Sequence, residues 1–517
     1  MKTNHLLIVA LLVATLFTSC KDAYKKAIPT DAIAVAEINL TSLGQKSDII
    51  GHKDRILDVT YQLIDDEEIV NEIKKALKDS KPSGINPLKP AYVFFTMEND
   101  GEGFILFAVK DKKQLLESLK DESETIQLEE SQDLTYIMID QTVYGAFNDK
   151  ALIVGSPINR LGFRDMLKLN NGYFSTDAGK LLERKSKDIT IVASYDAIPD
   201  KYKDILQEEI ERTLRQQYGL TNDFDEQLEK IEKALFALNV EFNKGDILFN
   251  LYVEGVEQQN TNGAKKIDKA NVSDIPTNNL VGMFAIGMDG KEVWKIAGKT
   301  LEKEFENGDE KQMIDRIGEY VEQLNGTATA ALYMKNADAD PDVYAIIPAP
   351  KNELTSLFSD LGLSEYLELV SIDGNNKNTT ISTLSDPQIK KFEQSQTASS
   401  SYWYAYINTT NICDMAIDET IKPHRQIKEK QTHIRKAFDI GYAFDYVELY
   451  VPEINQLTLR CNMTRKSDNA LSILLSKTLD WLEAYHDYEV AEERTSRRTN
   501  NYDIMFDEYL DFIDDLD

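Results

Sequence analysis

Asp338, Asp340 and Asp342 alternate along the chain, the spacing with which carboxylates begin to wrap a calcium ion. Such a loop also needs glycine at its sixth position to turn the chain and glutamate at its twelfth to clamp the ion. Those positions hold Val343 and Ala349, so the segment reads as a solvated hairpin turn. Transition-metal chemistry has less to work with. Among His5, His52, His424, His433 and His486, none stands at ligand spacing from another histidine or a cysteine. No metal and no other cofactor is expected. The nucleophile elbow Gly-x-Ser-x-Gly, the phosphate loop and the Gly-x-Gly-x-x-Gly fingerprint are all missing from the sequence. A glycosidase needs only two carboxylates, and 88 acidic residues supply many pairs. A carboxylate-dependent hydrolase therefore stays open, as the least supported of three functional readings.

The densest aromatic run is Tyr402-Trp403-Tyr404-Ala405-Tyr406. On a strand, Tyr402, Tyr404 and Tyr406 share one face, while Trp403, Ala405 and Ile407 share the other. Strands favour aromatic residues for ordinary packing, and the comparable run Ile189 to Tyr195 reads as core. Packing is the preferred account. The alternative is a glycan-binding surface at Tyr402, Trp403, Tyr404 and Tyr406.

Cys20 carries the most specific chemistry. Lys2 supplies a positive start, Leu6 to Phe17 is an uncharged and nearly all-apolar run, and Thr18-Ser19 lead into Cys20. The run suits a signal-peptide core and is too short to span a bilayer, which takes about 20 residues. The segment resembles the lipobox of bacterial lipoproteins, departing from it in having Phe17 where leucine is commonest. The resemblance implies that the Cys20 thiol is alkylated by diacylglycerol and becomes the mature N-terminus. Several acyl chains, at about 0.8 kcal/mol per buried methylene, make such an anchor effectively permanent. Lys21 follows, not the aspartate that holds many lipoproteins at the inner membrane, so an outer-membrane lipoprotein is expected, on its periplasmic or its surface face.

Removing residues 1–19 deletes Lys2 and no acid, taking the formal charge from −30 to −31. That field repels phosphate backbones and anionic headgroups, which argues against nucleic acid as a partner. Cys413 and Cys461 are the other cysteines. In an oxidising compartment they could pair or remain thiols.

The elements that hold these residues come as a doubled series. Ala27-Ile28-Pro29-Thr30-Asp31 opens into the alternating run Ile33 to Ile38, and Asp274-Ile275-Pro276-Thr277-Asn278 opens into Leu280 to Ile286. Hairpins follow in step: 91–97 with 104–109, and 330–334 with 343–347. The strand 189–195 matches 402–407, and the closing hairpin 237–241 with 247–253 matches 446–450 with 457–462. Segments 53–78, 200–217, 225–235, 289–305, 310–324 and 467–487 carry helical apolar spacing. Ser156-Pro157 reads as a helix start. The expected fold is α+β, with two tandem similar halves, each an antiparallel sheet with helices packed on one face. The expected layout is a signal peptide at 1–19, a tether at 20–26, halves at 27–257 and 272–487 joined by a linker at 258–271, and an acidic tail at 488–517. The export signal, the Ile-Pro-Thr opening and the doubled layout resemble an uncharacterised lipoprotein family of Bacteroidetes, a domain of unknown function.

Residues 489–502 are polar and read as a linker. Residues 503–517 then hold seven acids and no Lys or Arg. Phe506, Tyr509, Leu510 and Ile513 form one helical stripe among them, the form of a tail that docks in a partner's groove. A protein partner is expected there. The favoured function is a non-catalytic binding or scaffold protein of the envelope, held to the membrane by its lipid. A carbohydrate-binding accessory lipoprotein is the second reading.

Overall fold

A computed structural model describes residues 23–514, apart from 65–69, 72–73, 75–82, 98–100, 122–125, 219–232, 257–262, 296–297, 299–308, 363, 386–391 and 425–426. The chain is a mixed fold of helices and antiparallel sheet. The alternating runs become strands because their side chains point in turn to the two faces of a sheet. In the first part of the chain these are β1 (Ala34–Ile38), β2 (Ala91–Thr96), β3 (Glu102–Ala108), β4 (Gln127–Ser131), β5 (Leu134–Ile139), β6 (Thr142–Phe147), β7 (Ala151–Gly155), β8 (Ile189–Ser194), β9 (Leu235–Phe242) and β10 (Asp246–Glu254). After them come β11 (Ala264–Lys265), β12 (Leu280–Asp289), β13 (Asn325–Tyr333), β14 (Asp342–Ile347), β15 (Ser371–Gly374), β16 (Thr379–Ser382), β17 (Trp403–Asn408), β18 (Phe444–Glu453) and β19 (Gln456–Met463).

Adjacent strands run antiparallel in the order β4-β5-β6-β7-β3-β2-β1-β8-β9-β10-β19-β18-β17-β12-β13-β14-β16-β15, with β11 beside β12. The two sheets expected from the sequence are therefore one. β10 and β19 join them, paired from Asp246↔Asn462 to Tyr252↔Gln456.

The longer helices are α1 (Leu40–Ser47), α2 (Lys53–Leu63), α3 (Lys112–Asp121), α4 (Arg160–Leu167), α5 (Asp177–Lys185), α6 (Asp200–Tyr218), α7 (Asp309–Val321), α8 (Lys351–Asp360), α9 (Thr409–Ile421), α10 (Lys428–Gly441) and α11 (Ala470–Asp514). α4 begins later than Ser156-Pro157 suggests. Its cap is Asn159, whose Oδ1 accepts from the Gly162 amide at 2.9 Å, because asparagine satisfies an orphan amide that proline cannot. The segment 225–235 lies outside the described residues except at its end, where Leu235 already belongs to β9.

Helices lie on both faces of the sheet, not on one. On the face carrying Val35, Tyr92, Phe94 and Phe104, α4 places Phe163 and α5 places Leu181 and Leu182 to close a core. α5 packs tightly because residue 179 is glycine: a Cβ there would come within 2.2 Å of the Tyr173 carbonyl oxygen. A second core on this tyrosine face gathers Met283, Ala285, Tyr333, Tyr344, Tyr404 and Tyr406. On the opposite face, Leu115, Leu116 and Leu119 of α3 cover Phe107, Ile137 and Val154. There too, Ala470, Ile473 and Leu474 of α11 cover Val240, Ile247, Phe249 and Cys461. The physical reason is that the strands are apolar on both sides, so a helix finds a seat on either, each fully buried Leu or Ile contributing about 2 kcal/mol.

α11 runs without a break through the expected linker at 489–502. Between Ala470 and Asp514 there is neither Gly nor Pro to stop it, and its Glu, Arg and Ala residues are good helix formers.

Candidate binding surface

Of the residues singled out in the sequence, the aromatic run is divided between the two faces by the pleat of β17. Tyr404 and Tyr406 are buried on the tyrosine face. Tyr406 meets Phe392 and Tyr446 with ring centroids at 5.1 and 5.3 Å, and Tyr404 meets Phe392 at 6.3 Å. They cannot belong to an open platform, so a surface made jointly by Tyr402, Trp403, Tyr404 and Tyr406 does not form. Tyr402 is half-buried at the start of the strand, with the Lys266 ammonium 4.0 Å from its ring centroid. Trp403 points the other way and meets Phe284 edge-on at 5.5 Å.

That opposite face has an unusual composition. β14, β13, β12, β17 and β18 align Val343, Leu332, Gly282, Ile407 and Val447 in one cross-strand row. The next row runs Ala345, Ala330, Phe284, Ala405, Leu449 and Leu459. Further along the sheet, Leu457, Leu251, Leu238, Ile191, Ala36 and Val93 line up and lead to Ile105. In the paired registers from β3 to β14, this aliphatic face bears no hydroxyl, amide or charge. α3 and α11 cover parts of it. Phe95, Ile105 and Ile191, on strands between these helices, and Phe284, Leu332, Val343 and Ile407, on strands beyond α11, are 37–48% exposed. Single exposed apolar residues are ordinary, but a contiguous patch of several hundred Å² marks an interaction site.

The tyrosine face is different in the middle of the sheet. There Thr190, Asn239, Asn250 and Thr458 are buried in one polar row. Thr458 donates its hydroxyl to Asn250 Oδ1 at 2.8 Å. Two buried carboxylates flank the row, each held by a tyrosine. Tyr92 donates to Glu37 at 2.8 Å, with the Ser186 hydroxyl also donating to Glu37, and Tyr404 donates to Glu448 at 2.8 Å. Arg460 stands 3.6 Å from Glu448 and 3.8 Å from Asp246. Burial pushes the Glu448 carboxyl above the usual range, because the Tyr404, Arg460 and Asn462 contacts offset only part of the desolvation. It also pushes the Tyr404 hydroxyl well up. A carboxyl of raised pKa is what a general acid needs, but Glu448 is 1% exposed and packed against core tyrosines. The pair serves to satisfy buried polar groups.

The acidic loop is a hairpin turn: the Asp338 amide donates to Asn336 Oδ1 at 3.1 Å, and Asp342 Oδ1 accepts from the Thr383 hydroxyl at 3.0 Å. Beside it a cleft of about 320 Å³ is lined by Asp338, Asp414, Asp418 and Glu419, with Lys335 among them. Among the described residues, no three His, Cys, Asp or Glu side chains are grouped so as to hold a metal. Cys413 and Cys461 carry free thiols. His433 stacks among Trp481, Tyr485 and Tyr488, and burial lowers its pKa. Cys20 lies outside the described residues, as do the side chains of Phe506, Tyr509, Leu510 and Ile513 on the last turns of α11. Among the described residues no helix is long and apolar enough to cross a membrane.

The model of a domain of unknown function, DUF4836, matches residues 24–346, more than half of the chain. The chain belongs to the DUF4836 family. The DUF4836 match runs from the turn before β1 through most of β14, crossing the β10–β12 connection. No curated protein matches. Among solved structures, the chain is similar to crystal form IV of TP0453 at 10% identity and a TM-score of 0.26, over 44% of this chain and 79% of that one. Crystal form I of the same protein gives 11% identity and a TM-score of 0.26, over 46% and 81%. Within the DUF4836 chain, Phe284, Leu332 and Ile407 are surface residues that sequence reasoning passed over. The signal was present: these strands are apolar at nearly every position, on both faces.

Proposed function

We propose that this member of the family is a non-catalytic binding protein of the cell envelope, anchored through lipid on Cys20 and binding through its aliphatic sheet face. The observation that carries the binding role is the contiguous exposed row Val343, Leu332, Gly282 and Ile407 beside Phe284 and Trp403. Anchoring and an outer-membrane address rest on the sequence around Cys20. A tandem origin of the halves is supported by the pairings. β1 lies between β2 and β8 as β12 lies between β13 and β17, and β8-β9-β10 follow one another as β17-β18-β19 do.

The binding surface is tested with anilinonaphthalene sulfonate, a dye that brightens on exposed apolar surface. Folded wild-type protein should enhance its emission severalfold, and the pair Leu332→Glu with Ile407→Glu should remove most of that gain. Both positions are about two-fifths exposed or more, so the fold should tolerate the charges. Enhancement that survives both substitutions, or none with wild type, overturns the assignment of this face.

A further inference from the structure

We infer that one end of the sheet, where β1 stops and β2 begins, lies against the headgroups of an anionic bilayer; this rests on the reading that Cys20 carries the anchoring lipid. The tether is short. Cys20 and Ala23 are three residues apart, a span of at most about 11 Å. The next residue is fixed to the body: Tyr24 is 3% exposed, and its hydroxyl donates to the Pro90 carbonyl oxygen at 3.0 Å. Pro90 directly precedes β2, and Ile38, the last residue of β1, pairs with Ala91 there. From this end the chain runs to the far one before β1 starts, where the Ile33 amide donates to the Phe95 carbonyl oxygen at 2.9 Å. A lipid on Cys20 therefore holds the β1–β2 end close to the membrane.

Charge is sorted along the same strands. At the tethered end, β1, β2, β3, β7 and β8 are entered or left through residues 39–41, 83–90, 109–113, 148–150 and 185–188, which hold seven lysines and three aspartates. Lys110, Lys113, Lys150 and Lys187 are exposed, while Asp188 is buried against Lys46. The far ends of these strands, at 29–33, 97–101, 156–159 and 195–199, hold four acids and no Lys or Arg. Five strands span about 19 Å, so the lysines act nearly as one patch on the scale of the Debye length, about 10 Å. The formal charge of −30 repels an anionic surface from most directions; with this end down the surface meets lysines. Apolar side chains stand among them. Leu88 is 78% exposed and Leu40 41%, and the Thr41 hydroxyl joins their segments by donating to the Pro87 carbonyl oxygen at 2.5 Å. Leucine beside lysine suits the headgroup boundary, the one sinking in while the ammonium stays at the phosphates. An acidic protein could meet the same lysines, but a tether of about 11 Å leaves little depth for one.

The test places a nitrobenzoxadiazole dye, which brightens on leaving water, on the anchored protein. Leu88→Cys is labelled, and the unsubstituted protein treated alike gives the background from Cys413 and Cys461. The lipidated protein, purified from membranes, is reconstituted by its own anchor into vesicles of phosphatidylethanolamine with phosphatidylglycerol. Emission from position 88 should be at least twice that from the same dye on Asp196→Cys, which is exposed at the far end. Lys110→Gln, Lys113→Gln and Lys150→Gln together should bring the two positions level, because each lysine at an anionic surface changes the ratio of docked to free roughly fivefold. Vesicles of phosphatidylcholine alone should do the same. Equal emission from both positions, in protein that floats with the anionic vesicles, overturns the docked end and leaves the anchor standing. Protein that does not float overturns the anchor and the docked end with it. Brightening at position 88 that survives both the three substitutions and the neutral lipid overturns the anionic headgroup as partner.

Discussion

Replacing Asp188 by alanine should cost about 3 kcal/mol, and the cost should shrink in acid. Asp188 precedes β8 and is 5% exposed. Its carboxylate accepts from the Lys46 ammonium at 2.6 and 2.8 Å, from the Ser42 hydroxyl at 2.6 Å and from the Phe242 amide at 2.7 Å. It thus ties α1 to the end of β9. Truncation leaves the partly buried Phe242 amide without a partner, worth about 1–3 kcal/mol. Lys46 is part-exposed and Ser42 can turn to water, so together they add only about 1 kcal/mol. At about 2 °C per kcal/mol for a chain of this size, the melting temperature should fall by about 6 °C. Burial alone would raise the Asp188 pKa, but the bonds from Lys46, Ser42 and Phe242 outweigh it and hold the carboxyl below its usual range. A carboxylate depressed on folding contributes stability that is fully present above its unfolded pKa of about 3.9. That contribution is lost as pH falls through the folded value. Denaturant unfolding at neutral and acid pH measures it, with the slope m unchanged by the substitution. A cost below 1 kcal/mol at neutral pH, or one that persists unchanged in strong acid, would refute the account of Asp188.

Cys20→Ala should end incorporation of labelled palmitate and release the protein from membranes; retention of the variant in the membrane fraction would contradict the anchor. Tyr404→Phe leaves Glu448 Oε1 without its 2.8 Å donor and should destabilise by about 1–3 kcal/mol, read from the denaturant midpoint. Deleting residues 489–517 should leave the melting temperature nearly unchanged, because the Trp481, Tyr485 and Tyr488 contacts with His433 are retained. It should also remove a co-purifying protein, and a fall of several degrees instead would make the tail part of the fold.

Most strands were legible because runs such as Ile33 to Ile38 and Val343 to Ile347 announce themselves by β-branched and alternating residues. Short polar strands such as β15 (Ser371–Gly374) were not, since nothing local distinguishes Ser-Ile-Asp-Gly from a turn. The β10–β19 junction was also hidden, because the register between distant strands is decided by packing and leaves no local mark. The linker at 489–502 was misread for the opposite reason: the charge of these residues suggested a break, while their helix propensity carried α11 straight through. At the candidate surface, alternation placed Trp403 and Tyr404 on opposite faces correctly. It could not say which face would stay open, because the strands around them are apolar on both.

The junction of β10 and β19 also fixes an order of events. Asn250 and Thr458, bonded across it, are 208 residues apart in the chain, and contacts of such separation form late and slowly. As the chain emerges N-terminus first, β10 is complete long before β19 exists. Until the last hairpin arrives, the outer row of β10 amides and carbonyls from Asp246 to Tyr252 is a bare strand edge able to recruit any passing extended chain. A newly made molecule therefore passes through an interval of aggregation risk that ends when β19 docks, and a holdase would act in that interval.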